Sequence, residues 1–214
     1  MKKLLCLLAI LMPMLSANCF AQDIEYERKN LLKNPCQKFE IKRAPKFQFQ
    51  NLEGLNINIV PDKPIYGEDG QIISLRHCTC FIMPTVNYIK SMGFDDTGKN
   101  EHTLNIYFEH IHPYWSKESR SASYLGNVSV KFVIEMTNKD SEVIFEQKVS
   151  SFCTDKDFYG CLNEAYTQAL EQINWYKIYS FLKESSAPKQ QVKQESKEVK
   201  GYGNTDLENT IVRW

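Results

Sequence analysis

The sequence predicts an α+β protein, a two-layer sandwich in which a mostly antiparallel sheet packs against a short helix and a long C-terminal helix. Several segments alternate apolar and polar residues with the period of two that marks half-buried strands, and two others repeat apolar residues at helical spacing. Hydrophobic residues form 43% of the 214 residues and charged residues 24%. This composition is typical of a folded protein and too apolar for a disordered chain. The predicted order is β-β-α-β-β-β-α.

The first three predicted elements lie between residues 55 and 93. Apolar residues alternate with less apolar ones and predict a strand at Leu55, Ile57 and Ile59. A second extended run covers residues 71–83, after a turn-like segment at 66–70. Pro84 suits the first turn of a helix, and apolar residues follow at Val86, Ile89 and Met92. Gly93 is typical of the position just beyond a helix, so a short helix is predicted to end there.

Three adjacent antiparallel strands and a long helix complete the predicted domain. The strands are indicated by alternating apolar residues at 104–108, at 128–136 and, after a polar turn at 138–141, at 143–149. His110 and His112 are expected to continue the core face of the first of these strands, which carries Leu104. The helix, about residues 161–183, is predicted from the apolar stripe Leu162, Ala165, Tyr166, Ala169, Ile173 and Tyr176.

The chain is expected to divide into four segments. Residues 1–21 have the basic start, short apolar run and small residues of a secretory signal peptide, with cleavage after Ala21. Residues 22–46 form a polar N-terminal arm, 47–184 the α+β domain, and 185–214 a flexible tail rich in Gln, Lys, Ser and Glu. No apolar run reaches the length of a membrane span. We therefore expect a bacterial protein that is periplasmic or secreted.

A lipid anchor is the alternative interpretation of the leader. Cys19 would then be the lipidated N-terminus of the mature protein and would hold it on a membrane. The sequence disfavours this alternative, because Asn18 occupies a position where the lipidation signal requires Gly, Ala or Ser.

Five cysteines remain after the predicted cleavage, and an oxidising compartment favours their pairing. Cys153 and Cys161 bracket a seven-residue loop whose Gly and Asp residues suit a turn. We therefore predict a disulfide between them. Cys36 is expected to join Cys78 or Cys80, and the sequence leaves that choice open.

The sequence lacks the common local motifs for nucleotide binding, zinc-dependent proteolysis and serine hydrolysis. Basic and acidic side chains are equal in number, which argues against a nucleic-acid partner. No enzyme activity and no cofactor are expected. The alternative is a soft-metal site, because thiolates and imidazoles suit zinc or copper(I); its candidate ligands are His77, Cys78, Cys80, His110 and His112.

Several local patterns together resemble the small α+β domains of Gram-negative envelope proteins and lipoproteins. The similar features are a helix that ends in 92–94, the strand 104–108, a hairpin with a polar turn across 130–145, and a closing helix with Ala165, Ala169 and Leu170. The resemblance covers about residues 47–182. It implies interaction within the envelope in place of catalysis.

The end of the last predicted helix is apolar around most of its circumference, more than one sheet can cover. We predict that part of this surface contacts a partner protein, through Trp175, Ile178, Tyr179 and Leu182. The alternative is that this end packs beneath the N-terminal arm. The sequence thus predicts a non-catalytic envelope protein that acts through protein–protein interaction; a periplasmic metal binder and an inhibitor or immunity-type protein are the alternatives.

Overall fold

A computed structural model describes residues 22–49, 52–53, 55–95, 101–117, 124–155 and 157–186. The predicted signal peptide, Cys19 and the tail beyond residue 186 lie outside the described residues. In chain order the strands are β1 (Leu52–Glu53), β2 (Leu55–Val60), β3 (Phe94–Asp95), β4 (His102–Lys117), β5 (Tyr124–Thr137) and β6 (Val143–Asp155). The helices are α1 (22–33), α2 (Ile82–Ser91), α3 (Phe158–Glu171) and α4 (Trp175–Ser186).

The predicted α+β class is confirmed. Four strands form a mixed sheet in the order β2-β4-β5-β6, in which β2 runs parallel to β4 and the other neighbours are antiparallel. The short strands β1 and β3 form a separate parallel pair. Helix α3 lies over β5 and β6, and the helical side contributes buried aromatic contacts such as Tyr166 against Phe108 and Phe132. One face of the sheet therefore carries the core.

The extended run predicted at 71–83 does not form a strand. An isolated bridge joins Tyr66 to Ile72, a 3-10 turn spans Thr79–Phe81, and α2 begins at Ile82. The run is held at the edge of β4 by single hydrogen bonds: the Leu75 N–H donates to the Ile111 carbonyl at 2.8 Å, and the Ser74 hydroxyl donates to the same oxygen at 3.0 Å. Its apolar residues are thus isolated anchors and not one face of a strand.

The long C-terminal helix is two helices, because the chain turns at residues 172–174. The side chain of Gln147 on β6 accepts a hydrogen bond from the Asn174 N–H and donates one to the Gln172 carbonyl. The Asn174 side chain in turn accepts from the Lys177 N–H at 3.1 Å, a contact typical of a helix N-cap. A residue far away in the sequence therefore stabilises the break.

The N-terminal arm packs onto the helical layer. Ile24 and Leu31 of α1 are buried in the core. Further along, the Lys42 N–H donates to the hydroxyl of Thr167 on α3. The arm is also covalently attached, because Cys36 forms a disulfide with Cys80 in the 3-10 turn that precedes α2.

A β-bulge in β4 changes which side chains face the core. The register with β5 shifts between Phe108 and His110, so one extra residue, Glu109, is inserted at that point. After the bulge Ile111 faces the core and is fully buried, whereas His110 and His112 are only partly buried on the opposite face. The prediction that the two histidines continue the core face of Leu104 is therefore wrong, because a one-residue insertion reverses the alternation.

Candidate functional site

The candidate site lies on the face of the sheet that points away from the helices, which we call the open face. No helix within the described residues packs against it, and most of its side chains are partly or fully exposed. Its principal residues come from all four strands: Asn58, Val60, Tyr107, His110, His112, Tyr114, Ser129, Lys131, Val133, Glu135, Glu146, Lys148 and Phe152.

An acidic cavity of about 400 Å³ opens where β2 ends beside the bulge. Its lining combines apolar and acidic residues, namely Val60, Pro61, Asp62, Tyr107, Phe108, Glu109, Val133 and Glu135. Asp62 is paired with Arg76 at 3.0 Å. Burial, together with a hydrogen bond to Glu135, raises the pKa of Tyr107. Three carboxylates thus surround an apolar floor, and one of them is neutralised by a neighbouring guanidinium.

Four rings continue the site along β4 and across to β6, and we call them the aromatic row: His110, His112, Tyr114 and Phe152. Successive ring centroids lie 5.3, 5.8 and 6.3 Å apart. The three β4 residues share one face because they are spaced by two. Tyr114 is 36% exposed and Phe152 51% exposed, so the row presents apolar area to a ligand.

Hydrogen bonds hold both imidazoles in the row. Nδ1 of His112 donates to the Ile73 carbonyl at 2.6 Å, and Nε2 of His110 lies 2.8 Å from the Ser129 hydroxyl. Burial lowers the pKa of His110, and the nearby His112 and Lys131 lower it further. The His110 ring is therefore neutral at neutral pH and fixed in orientation.

The cysteines and histidines proposed as a metal site do not converge. Cys80 is bonded to Cys36 and so is not available as a thiolate ligand. Cys78 is buried, burial raises its thiol pKa to about 11, and its sulfur lies 3.7 Å from His77 Nε2. Among the described residues, no group of three or more His, Cys, Asp or Glu side chains is arranged to hold a metal ion.

The other predicted disulfide is not formed in the structure, where Cys153 and Cys161 are free thiols. The two side chains are nevertheless hydrogen-bonded to each other, and the Cys161 thiol also contacts the Gly126 carbonyl at 3.6 Å. Burial raises the pKa of both thiols. Their pairing in the exported protein stays a prediction, whereas Cys36 has joined Cys80, one of its two candidates.

The structure does not place the aromatic end of α4 on the surface. Trp175, Ile178 and Leu182 are each at most 2% exposed. The remaining member of the predicted surface, Tyr179, stacks on Phe49 with ring centroids 4.7 Å apart. Rings of α4 also contact Phe94 of β3 and Phe145 of β6. The buried side chains therefore belong to the core and not to an exposed partner surface.

Sequence reasoning did not identify the cavity or the aromatic row on the open face. Alternation in the predicted strand did place Tyr107 opposite the core, but without the bulge the cavity beside Glu109 is not visible. Phe152 lies three residues beyond the last apolar position of its predicted strand, and only strand pairing brings it close to Tyr114. The bulge and the strand pairing that form this site are features of the tertiary structure, which the local sequence pattern does not show.

No protein-family model matches the chain, and no curated protein sequence matches it. Among solved structures, that of a lipoprotein from Caulobacter crescentus is similar at 9% identity with a TM-score of 0.35, over 59% of this chain and 86% of that chain. The structure of a neuraminyllactose-binding hemagglutinin homologue from Helicobacter pylori is similar at 12% identity with a TM-score of 0.26, over 70% of this chain and 90% of that chain. The first of these proteins is a lipoprotein, the kind of protein that the local patterns in the sequence resemble.

None of the described helices is both long and apolar enough to cross a membrane.

Proposed function

We propose that this is a non-catalytic protein of the bacterial envelope, periplasmic or secreted, that binds another protein through its open face. The observation that carries the proposal is the position of the acidic cavity and the aromatic row side by side on a sheet face that none of the described helices covers. The expected signal peptide supports export. The proposed interaction surface is therefore the open face of the sheet and not the end of α4.

The chemistry of the open face favours a protein partner of a particular kind. Aromatic rings supply large, rigid contact areas and are enriched at the energetic centres of interfaces. The cavity adds two carboxylates without a guanidinium partner among the described residues, Glu109 and Glu135, next to the ring of Tyr107. A lysine or arginine side chain would be favoured there by charge and by the aromatic ring. The partner therefore presents an apolar patch beside a basic side chain.

The surroundings of the histidines favour binding over catalysis. His110 and Ser129 form a pair that could act as base and nucleophile, but such a pair also needs an orienting group and oxyanion donors. Among the described residues, no hydrogen bond orients the second nitrogen, Nδ1, of His110. Ser129 lies within the paired part of β5, where backbone N–H groups are used in strand pairing. A binding role is the better match.

The test compares two exposed apolar residues of the same strand. Phe152 lies in the aromatic row, whereas Val143 lies at the other end of β6 and is 54% exposed. A photo-activatable cross-linker placed at Tyr114 in the exported chain first captures and identifies the bound protein. Binding of that purified partner is then measured with Phe152→Ser and Val143→Ser variants whose circular dichroism matches the parent protein.

Phe152→Ser is expected to weaken the complex at least tenfold, because an aromatic contact at the centre of an interface is worth about 2 kcal/mol. Val143→Ser should change the affinity little. The pair Glu135→Gln and Glu142→Gln tests the cavity in the same way, with the hairpin residue as control. The proposal would be contradicted if the two variants of a pair changed the affinity equally, or if the cross-linker at Tyr114 captured no protein. Zinc or copper bound in stoichiometric amount would favour the metal-binding alternative.

A further inference from the structure

The strand β6 forms an outer edge of the sheet. It pairs with β5 on one side, and no strand within the described residues pairs with its other side. From Phe145 to Asp155 the pairing is regular, without a bulge or a proline. An edge of this kind presents unpaired backbone N–H and C=O groups and is a template for another strand.

We propose that β6 pairs in antiparallel fashion with β6 of a second copy of the chain, with Gln147 at the two-fold axis. The two sheets would then form one continuous sheet of eight strands. This inference is independent of the partner proposed above, because it uses the backbone edge of β6 and two charged residues that belong neither to the acidic cavity nor to the aromatic row.

Charge complementarity selects the second copy as the occupant and also sets the register. With Gln147 at the axis, Glu146 lies directly opposite Lys148 of the other copy, and the symmetry creates this pair twice. Both side chains are exposed on the open face, and neither forms an ion pair within the described residues. Opposite charges across an antiparallel pair are stabilising.

The neighbouring registers are disfavoured by the same two residues. Moving the axis by one residue places Glu146 opposite Glu146, or Lys148 opposite Lys148, and like charges directly opposite each other are destabilising. On the helical side of the sheet, the favoured register brings Phe145 opposite Val149 of the other copy, so apolar side chains also meet. A symmetric pairing of identical strands is the expected form of a two-fold dimer.

The experiment uses the full mature chain and sedimentation equilibrium. The parent protein should be in monomer–dimer equilibrium. Glu146→Lys and Lys148→Glu should each weaken the dimer about tenfold or more, because each changes two attractive pairs into two repulsive ones. The control is Lys90→Glu, a charge reversal at an exposed position of α2, which packs against β2 at the opposite edge of the sheet; it should leave association unchanged.

Two experiments in which dimerisation should be restored distinguish this register from a general effect of charge. The double variant Glu146→Lys with Lys148→Glu should dimerise like the parent, because both pairs are restored in reverse. An equimolar mixture of the two single variants should form a heterodimer, since one chain carries two lysines and the other two glutamates. Circular dichroism confirms that each variant is folded.

The proposal is overturned if the parent chain stays monomeric up to roughly millimolar concentration. It is also overturned if a dimer forms whose affinity is unchanged by Glu146→Lys and by Lys148→Glu. Failure of the double variant and of the mixture to restore association would overturn it as well.

Discussion

The substitution Trp175→Ala tests the finding that the aromatic end of α4 belongs to the core. The Trp175 side chain is 1% exposed, its ring centroid lies 5.9 Å from that of Phe94, and its indole N–H donates to the Leu170 carbonyl at 2.9 Å. That carbonyl keeps the N–H of Ile173 as a partner, so loss of the indole bond adds little. The main cost is the cavity, and removal of a buried tryptophan lowers the free energy of unfolding by about 3–5 kcal/mol.

The adjacent residue provides a matched control. Tyr176 lies on the same helix, is 60% exposed, and meets Phe47 edge-on with ring centroids 4.7 Å apart. It also meets Phe49 edge-on, with ring centroids 5.6 Å apart. Because most of its surface is already in water, Tyr176→Ala should cost only about 1 kcal/mol, the low end of the range for two aromatic contacts.

The assay is urea unfolding of the mature full chain, followed by far-UV circular dichroism so that loss of the tryptophan does not remove the signal. Domains of this kind have about 5–15 kcal/mol of stability in total, so Trp175→Ala is expected to shift the midpoint strongly. If it does not fold, Trp175→Phe provides a milder change of about 1–2 kcal/mol. A Trp175→Ala cost below about 1 kcal/mol, equal to that of Tyr176→Ala, would refute the burial and restore the surface interpretation.

Four further outcomes are expected. Replacing Cys36 and Cys80 by Ser should lower the free energy of unfolding by about 4 kcal/mol, because the disulfide closes a loop with a separation of 44 residues; an unchanged urea midpoint would contradict this. Mass spectrometry of exported, nonreduced protein should find Cys153 joined to Cys161, and detection of both as free thiols would reject that pairing. N-terminal sequencing of the exported protein should begin at Gln22, whereas a diacylglycerol-modified Cys19 would place it on a membrane. Because burial lowers the pKa of His110, its imidazole is protonated at a higher pH in the unfolded chain than in the folded protein as the pH falls below about 6.5. The free energy of unfolding should therefore fall with acidification. His110→Gln should make this fall less steep, and an unchanged pH dependence would contradict the burial of the imidazole.

Local patterns in the sequence determined most of the elements. The sequence predicted the strands β4, β5 and β6, the hairpin between the last two, and the helix α2. In each strand and in the helix, the spacing of the apolar residues shows which side is buried. The pairing candidates of Cys36 were also limited to Cys78 and Cys80, because Cys153 and Cys161 were expected to pair with each other. What the sequence determined was therefore which segments are strands or helices and which side chains are apolar.

Tertiary structure decided the site. The inserted Glu109 reverses the two histidines onto the open face, and no local period shows where a strand will bulge. The side chain of Gln147 stabilises the break between α3 and α4 from a distance of 25 residues or more along the chain, and the break lets Trp175 become buried. Both events depend on which surfaces meet after folding, and the same apolar helix end is a core or an interface according to what covers it.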